Sequence, residues 1–128
     1  MLNQSGITKT VGTAPVQILF NVQNQMSVGV KIAKNFAGAV TENGRKIVKA
    51  GTPLTGDLTA RDTAFTAAGA SDAVGILLHD VDVTDTDANC SLLIWGFVNL
   101  NRIGSTTAAK INTGVKTALA GKVWFLKD

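Results

Sequence analysis

The residues best equipped for chemistry lie in one short stretch that holds the chain's single histidine. Asp80 follows His79 directly, and Ser71 precedes it by eight residues. Serine, histidine and aspartate are the members of a nucleophilic triad, which is recognised by its geometry and not by its order in the chain. The sequence around Ser71 lacks the Gly-x-Ser-x-Gly pattern of an exposed nucleophile. We therefore expect His79 to be structural or exposed and the protein not to be an enzyme, with a small hydrolase or metal-dependent enzyme as an alternative.

A series of four carboxylates begins at the same place, at Asp80, Asp82, Asp85 and Asp87. Clustered carboxylate oxygens are ligands that calcium prefers, but the series lacks the glycine and the distal glutamate of an EF-hand loop. The chain's only cysteine, Cys90, is the only soft ligand available beside one histidine, which argues against zinc. We expect solvated aspartates at a strand edge and turn, and neither a metal nor another cofactor.

Three aromatic residues near the end of the chain could form a binding surface. Trp95 and Phe97 share one face of a presumed strand, and Trp124 lies in the last one. Such residues usually pack in the core, but they can also stack on a sugar or fill a subunit interface. Aromatic residues make up only 5% of the chain, so few rings are available to form a carbohydrate-binding face. We take Phe65, Trp95 and Phe97 as candidates for a subunit interface.

The charge content is low for a globular protein. Charged residues make up 16% of the 128 residues, against roughly 25% in an average domain. Such a surface suits burial against partners. The net charge is +3, and the only local basic cluster is Arg45, Lys46 and Lys49, with no aromatic residues between them to stack on bases. We expect a solvated hairpin turn there and no nucleic-acid partner.

No apolar run approaches the roughly 20 residues of a membrane span, so we expect a soluble protein without a membrane partner.

The pattern of apolar residues predicts strands along most of the chain. Residues 74–83 and 91–100 are apolar runs with one interior glycine each, as in strands that bend or approach another backbone closely. Asn43-Gly44 between apolar residues predicts a two-residue hairpin, because both positions tolerate a positive φ. Further strands are expected at residues 16–20, 28–33, 46–49 and 122–127.

Two segments depart from this pattern. Residues 55–72 are polar and small around Phe65 and predict a long loop. Later, Asn112 or Thr113 can cap a helix that ends near Gly121. We predict a mainly β fold over residues 15–128, a small barrel or sandwich-like domain with one short C-terminal helix.

Residues 1–14 form a separate segment that is rich in Asn, Gln, Ser, Thr and Gly. Its apolar residues Leu2, Ile7 and Val11 are spaced too widely to form a core face. The segment is either a frayed terminus or an arm that becomes ordered by adding to the edge of a partner's sheet. Both interpretations remain open at this point, and the three apolar residues are our candidates for contact with a partner.

The order of three short motifs resembles small head proteins of tailed bacteriophages. These motifs are Val-Lys-Ala-Gly-Thr-Pro-Leu at residues 48–54, Ala-Val-Gly-Ile-Leu-Leu-His-Asp-Val at 73–81, and Gly-Phe-Val-Asn-Leu-Asn-Arg-Ile at 96–103. The resemblance covers roughly residues 45 to 126. The families it points to are capsid decoration (cement) proteins and the capsid-binding part of head fibre proteins.

The resemblance implies a β-rich structural protein, commonly a homotrimer, that binds the major capsid protein on the outside of an assembled shell. It would sit at threefold or quasi-threefold positions of the virion and would be made in the cytoplasm of the bacterial host. The resemblance also implies that residues 1–14 become ordered on the capsid. A receptor-binding or carbohydrate-binding module of a phage fibre or tail is the alternative.

Overall fold

A computed structural model describes residues 17–128 of the chain. The 1–14 segment, with Leu2, Ile7 and Val11, lies outside the described residues. Within them the fold is mainly β, with two sheets and few helices, which confirms the predicted fold class. Of the two architectures expected, the described part is sandwich-like and is not a closed barrel.

The strands of the described residues are β1 (Met26–Ile32), β2 (Val40–Glu42), β3 (Arg45–Val48), β4 (Pro53–Thr55), β5 (Thr66–Ala67), β6 (Gly75–Leu77), β7 (Val81–Asp82), β8 (Ala88–Asn99) and β9 (Val123–Leu126). A 3₁₀ turn over Leu100–Arg102 and the helices α1 (Ser105–Ala108) and α2 (Thr113–Ala118) lie between β8 and β9. No helix among residues 17–128 is long and apolar enough to cross a membrane.

Strand β8 is the centre of the larger sheet. Its first part pairs antiparallel with β1 on one edge and β6 on the other, and its last four residues pair in parallel with β9. Beyond β6 the sheet continues through β4 to β5. The smaller sheet has the order β2-β3-β7.

Two hydrophobic clusters lie on opposite sides of the larger sheet. Adjacent residues of β8 divide between them, because successive side chains of a strand point to opposite faces. Leu93 packs with α2 residues such as Val115, whereas Leu92 packs with Val48 and Val81 of the smaller sheet. The fold is therefore layered, with helices on one face of the larger sheet and the smaller sheet on the other.

Local signals in the sequence predicted one hairpin turn and one helix start correctly. Asn43 and Gly44 have φ values of 52° and 77° and join β2 to β3, as a type I′ turn requires. The Asn112 side chain accepts a hydrogen bond from the Val115 N–H at 3.0 Å and caps α2, which is the predicted helix. The 3₁₀ turn and α1 are additional to it.

The prediction of one strand over residues 74–83 was wrong. The strand leaves the larger sheet after Leu77, and the chain enters the smaller sheet only at Val81. Asp80 lies at this corner, where its carboxylate accepts a hydrogen bond from the Ala50 N–H at 2.8 Å. The first part of this apolar run therefore belongs to the larger sheet and its last part to the smaller sheet, because the chain crosses between them at His79 and Asp80.

Candidate functional site

The most distinctive surface of the described residues is a cluster of three aromatic rings on β8 and β9. The rings of Phe97 and Trp124 stack, with centroids 5.1 Å apart and planes inclined by 23°. Trp95 meets both edge-on, at centroid distances of 6.0 Å to Phe97 and 6.2 Å to Trp124. These geometries are the ones that aromatic pairs prefer. The three rings therefore form one cluster.

Strand pairing explains why these residues meet. Trp124 lies opposite Phe97 in the parallel pair of β9 with β8, and Leu126 lies opposite Asn99 in the same pair. Met26 of β1 lies opposite Trp95, next to an irregularity in the pairing between Met26 and Ser27. The pairing thus collects residues that are almost a hundred positions apart in the chain.

The cluster is exposed although it is apolar. Trp95 and Trp124 are 40% and 38% exposed, and Met26 and Leu126 are 56% and 39% exposed. Phe20 is also exposed, and its N–H donates to the Phe97 carbonyl at 2.7 Å, which puts it beside the cluster. We call the set of Phe20, Met26, Trp95, Phe97, Trp124 and Leu126 the aromatic surface.

Four of the six residues of the aromatic surface lie in parts of the chain that carry no charge, whereas Lys122, Lys127 and Asp128 flank Trp124 and Leu126 in the sequence. Neither β8 nor residues 17–30 contain a Lys, Arg, Asp or Glu residue. The segment between Phe20 and Met26 is instead rich in amides, with Asn21, Gln23, Asn24 and Gln25. An apolar centre beside uncharged polar residues is typical of protein interfaces, whose cores are depleted of charge.

The structure separates the three residues that we expected at a subunit interface. It places Trp95 and Phe97 in the aromatic surface. Phe65, however, is only 1% exposed and packs with Leu54 and Leu77 between the two sheets. This placement corrects the expectation for Phe65, because a side chain enclosed by its own chain has no surface left for a second subunit.

Phe65 lies in the segment predicted as a loop, which is more ordered than the sequence indicated. The Phe65 N–H donates to the Lys31 carbonyl at 2.8 Å, and Thr66–Ala67 then pairs with β4. The polar composition of residues 55–72 concealed this strand, because its two residues are exposed.

The basic cluster and the acidic series pair with each other. Arg45 Nε lies 2.8 Å from Asp82 Oδ2, and Arg45 Nη2 lies 3.1 Å from Asp85 Oδ2. Lys49 Nζ lies 2.9 Å from Asp80 Oδ2 and 3.1 Å from Glu42 Oε2.

These pairs shift the pKa values of the groups that form them. The hydrogen bonds from Arg45 and Thr84 lower the pKa of Asp82 to about 2. The hydrogen bond to Asp80 raises the pKa of Lys49. The carboxylates that resembled calcium ligands are thus engaged with cations and backbone N–H groups.

The residues considered for catalysis do not meet as a triad. His79 and Ser71 are exposed, and the Asp80 carboxylate binds Lys49 and the Ala50 N–H. Within residues 17–128 no three His, Cys, Asp or Glu side chains are grouped so that they could hold a metal ion. Cys90 is half-buried, and this burial raises the pKa of its thiol to about 11.

The sequence analysis missed three members of the aromatic surface, namely Phe20, Met26 and Leu126. Alternation within one strand relates Leu126 to Trp124, so this pair carried a local signal. Met26 and Phe20 carried none, because they reach the surface only through pairing with β8.

The chain matches no model of a known protein family and none of the curated proteins with which it was compared.

Proposed function

We propose that this chain is a structural virion protein that binds the outside of an assembled bacteriophage capsid and stabilises the shell. The observation that carries the proposal is the contrast between two kinds of surface. Arg45, Lys49 and their carboxylate partners lie in surface ion pairs, whereas five of the seven large exposed apolar side chains of the described residues lie on the aromatic surface. This contrast favours a protein that acts through contacts with other proteins. The order of the motifs at residues 48–54, 73–81 and 96–103 resembles small phage head proteins, and this resemblance supports the capsid as the partner.

In this proposal the domain bridges neighbouring copies of the major capsid protein against the pressure of the packaged DNA. Residues 1–14 add as an extended strand to a sheet edge of the capsid protein, where backbone hydrogen bonds supply affinity and Leu2, Ile7 and Val11 supply apolar contacts. The protein acts as a homotrimer at threefold or quasi-threefold positions on the outer surface of the virion. Neither nucleic acid nor membrane takes part.

Deletion of residues 1–14 tests the proposal. The full chain and the deletion variant are mixed with assembled shells of the phage that encodes the chain, and the bound protein is measured after sedimentation of the shells. We expect the deletion to abolish binding while the unfolding midpoint of the domain is unchanged. A second variant, in which Leu2, Ile7 and Val11 are all replaced by Ser, keeps the backbone and should bind more weakly. Unchanged occupancy after the deletion contradicts the proposed role of the arm.

A receptor-binding or carbohydrate-binding module is the second candidate, and the exposed rings of Trp95 and Trp124 favour it. Aromatic rings can stack on sugar faces, but Phe97 already covers one face of the Trp124 ring. A glycan array distinguishes the two functions. Binding that is lost in both Trp95→Ala and Trp124→Ala supports the module, whereas binding to shells without any glycan signal supports the capsid protein.

A further inference from the structure

We propose that a groove on the helix side of the larger sheet binds an acidic segment of a partner protein, one that carries an apolar side chain between its carboxylates. The inference rests on the proposed function in one respect, namely that the partner is the major capsid protein. It adds to that function the chemistry of the segment that the capsid protein contributes. The groove is separate from the aromatic surface, because none of its lining residues belongs to that surface.

The groove has an apolar floor. It lies between the 3₁₀ turn, the two helices and the end of β9, and its volume is about 530 Å³. Ile103 and Ile111 are only 6% and 5% exposed, so they form the floor, and both belong to the hydrophobic cluster on the helix side of the larger sheet. Leu100 and Ala108 pack against the same cluster. Ligand sites commonly have volumes of about 300 to 1,000 Å³ and a mostly apolar lining with a few polar groups, so this floor suits an apolar side chain.

The rim of the groove is basic. Lys116 and Lys127 line it and are exposed, and no acidic residue lines it. Among residues 17–128, neither lysine has a carboxylate within 4.0 Å. The acidic residue beside Lys127 is Asp128, and its carboxylate accepts a hydrogen bond from Asn101 Nδ2 at 2.6 Å. Two cations therefore face the groove without an anion to balance them in the part of the chain that the structure describes.

The segment around the groove carries the same charge. Residues 100–128 contain five Lys or Arg residues and one acidic residue, whereas residues 17–99 contain six Lys or Arg residues and eight acidic ones. All ion pairs of the described residues lie between Lys31 and Asp87. The positive charge of the last segment is thus not neutralised by these pairs, and such a charge attracts an anionic partner.

Charge also argues against the chain itself as the occupant. Residues 1–16 contain Lys9 and no acidic residue, so a basic groove repels that segment. A second copy has few free carboxylates to offer, because five of the eight acidic residues in 17–99 are already in ion pairs. The carboxylates of Asp57 and Asp72 accept hydrogen bonds from neighbouring residues.

Nucleic acid suits the groove less well than a protein segment does. Among the described residues no aromatic side chain lines the groove, so bases would have nothing to stack on. A protein segment supplies both carboxylates for the rim and an apolar side chain for the floor.

Two short peptides that differ only in charge test this selectivity. The acidic probe is an acetylated and amidated peptide of sequence Glu-Asp-Leu-Glu-Asp, and the neutral probe, Gln-Asn-Leu-Gln-Asn, has nearly the same shape. Binding to the full chain is followed through backbone amide signals in NMR spectra, which detect weak complexes and locate them. We expect the acidic probe to shift the signals of groove residues such as Ser105, Ile111 and Lys116. It should bind at least about fivefold more tightly than the neutral probe, and added salt should reduce this difference.

A matched pair of lysines separates the groove from the general charge of the segment. Lys116 lines the groove and Lys122 does not, yet both are exposed. Lys116→Glu should weaken binding of the acidic probe by at least about fivefold. Lys122→Glu gives the chain the same net charge and should change this binding by less than about twofold. The unfolding midpoints of both variants show whether they are folded.

Three results would overturn the proposal. The first is that the acidic probe shifts no groove signals at millimolar concentration, or binds no more tightly than the neutral probe. The second is that Lys116→Glu and Lys122→Glu weaken its binding equally, since the groove then has no special part in it. The third is that a single-stranded oligothymidylate binds the groove more tightly than the acidic probe, since the occupant is then a nucleic acid.

Binding to assembled shells keeps this inference distinct from the proposed function. We expect folded Lys116→Glu to coat the shells less than Lys122→Glu does. If both variants coat the shells as the full chain does, the capsid function stands and the groove as a capsid contact is refuted. If the full chain does not bind shells although the acidic probe occupies the groove, the capsid function is refuted and the preference of the groove for acidic segments stands.

Discussion

Trp124 stacks on Phe97 across a parallel strand pair, and the two rings remain at the surface of the domain. Large aromatic residues contribute most to stability when they are buried, so this partly exposed stack contributes less than it would in the core. Trp95 extends the stack edge-on, and Met26 and Leu126 flank it. The fold thus holds an apolar surface at the junction of β1, β8 and β9 that contributes little to the stability of a single chain.

We expect Phe65 and Phe20 to differ sharply in their contribution to stability. Phe65→Ala removes a ring that is 1% exposed and leaves a cavity, which should lower the free energy of unfolding by about 3 to 5 kcal/mol. Phe20→Ala is the control, because its ring is 47% exposed and its loss should cost less than about 1 kcal/mol. Urea unfolding of the monomer measures both. Equal costs would contradict the placement of Phe65 in the core.

We expect alanine at Gly75 to be much worse than alanine at Gly29, although both glycines lie in strands. A Cβ at Gly75 would lie 2.6 Å from Leu92 Cγ and 2.6 Å from the Leu93 carbonyl oxygen, so the backbone of β8 would have to move. Overpacking of this kind typically costs about 1 to 3 kcal/mol. A Cβ at Gly29 meets no atom within 4 Å, so Gly29→Ala should be nearly neutral. Thermal unfolding of the two variants checks this contrast, and a mild effect at Gly75 would count against the close approach of β6 to β8.

The Arg45–Asp82 pair should make stability depend on pH in the acid range. The pKa of Asp82 is lowered from 3.8 to about 2 in the folded state, so the unfolded chain binds more protons between these values. The stabilisation is therefore fully present above pH 4 and is lost as the pH falls towards 2. Asp82→Asn should reduce the fall in stability across this window, while Asp62→Asn, which leaves the pair intact, should not. Identical pH profiles for wild type and Asp82→Asn would show that the pair does not contribute.

Cys90 should react slowly with thiol reagents while the protein is folded. Its pKa is raised from 9.0 to about 11 by burial, and the thiolate is the reactive form. At pH 8 the folded protein therefore has less thiolate than the unfolded chain. We expect labelling by a maleimide to be markedly faster in denaturing urea than in buffer. Equal rates would mean that the thiol is solvated in the folded state.

The sequence predicted those features that depend on neighbouring residues. Asn43-Gly44 specified its hairpin through the positive φ of both residues, and Asn112 specified a helix start through its side-chain cap. Strands β8 and β9 followed from their apolar runs, and Trp95 and Phe97 followed from alternation.

Features that depend on distant pairing were missed. The partners Arg45 and Asp82 are 37 positions apart. At the break between β6 and β7, the Asp80 carboxylate accepts a hydrogen bond from the Ala50 N–H, which no local pattern indicates. Phe65 looked like a loop residue because its burial comes from strands that precede and follow it. The aromatic surface likewise needed the pairing of β1 and β9 with β8, which brings Met26 and Trp124 to Trp95 and Phe97.

The location of the protein on the virion tests the central claim most directly. Particles of the phage that encodes this chain are imaged by electron cryomicroscopy with and without its gene, and the two maps are subtracted. We predict difference density on the outside of the shell at threefold or quasi-threefold positions, of a size that fits three copies of the 13.3 kDa chain. Shells with identical outer surfaces in the two maps would contradict the account.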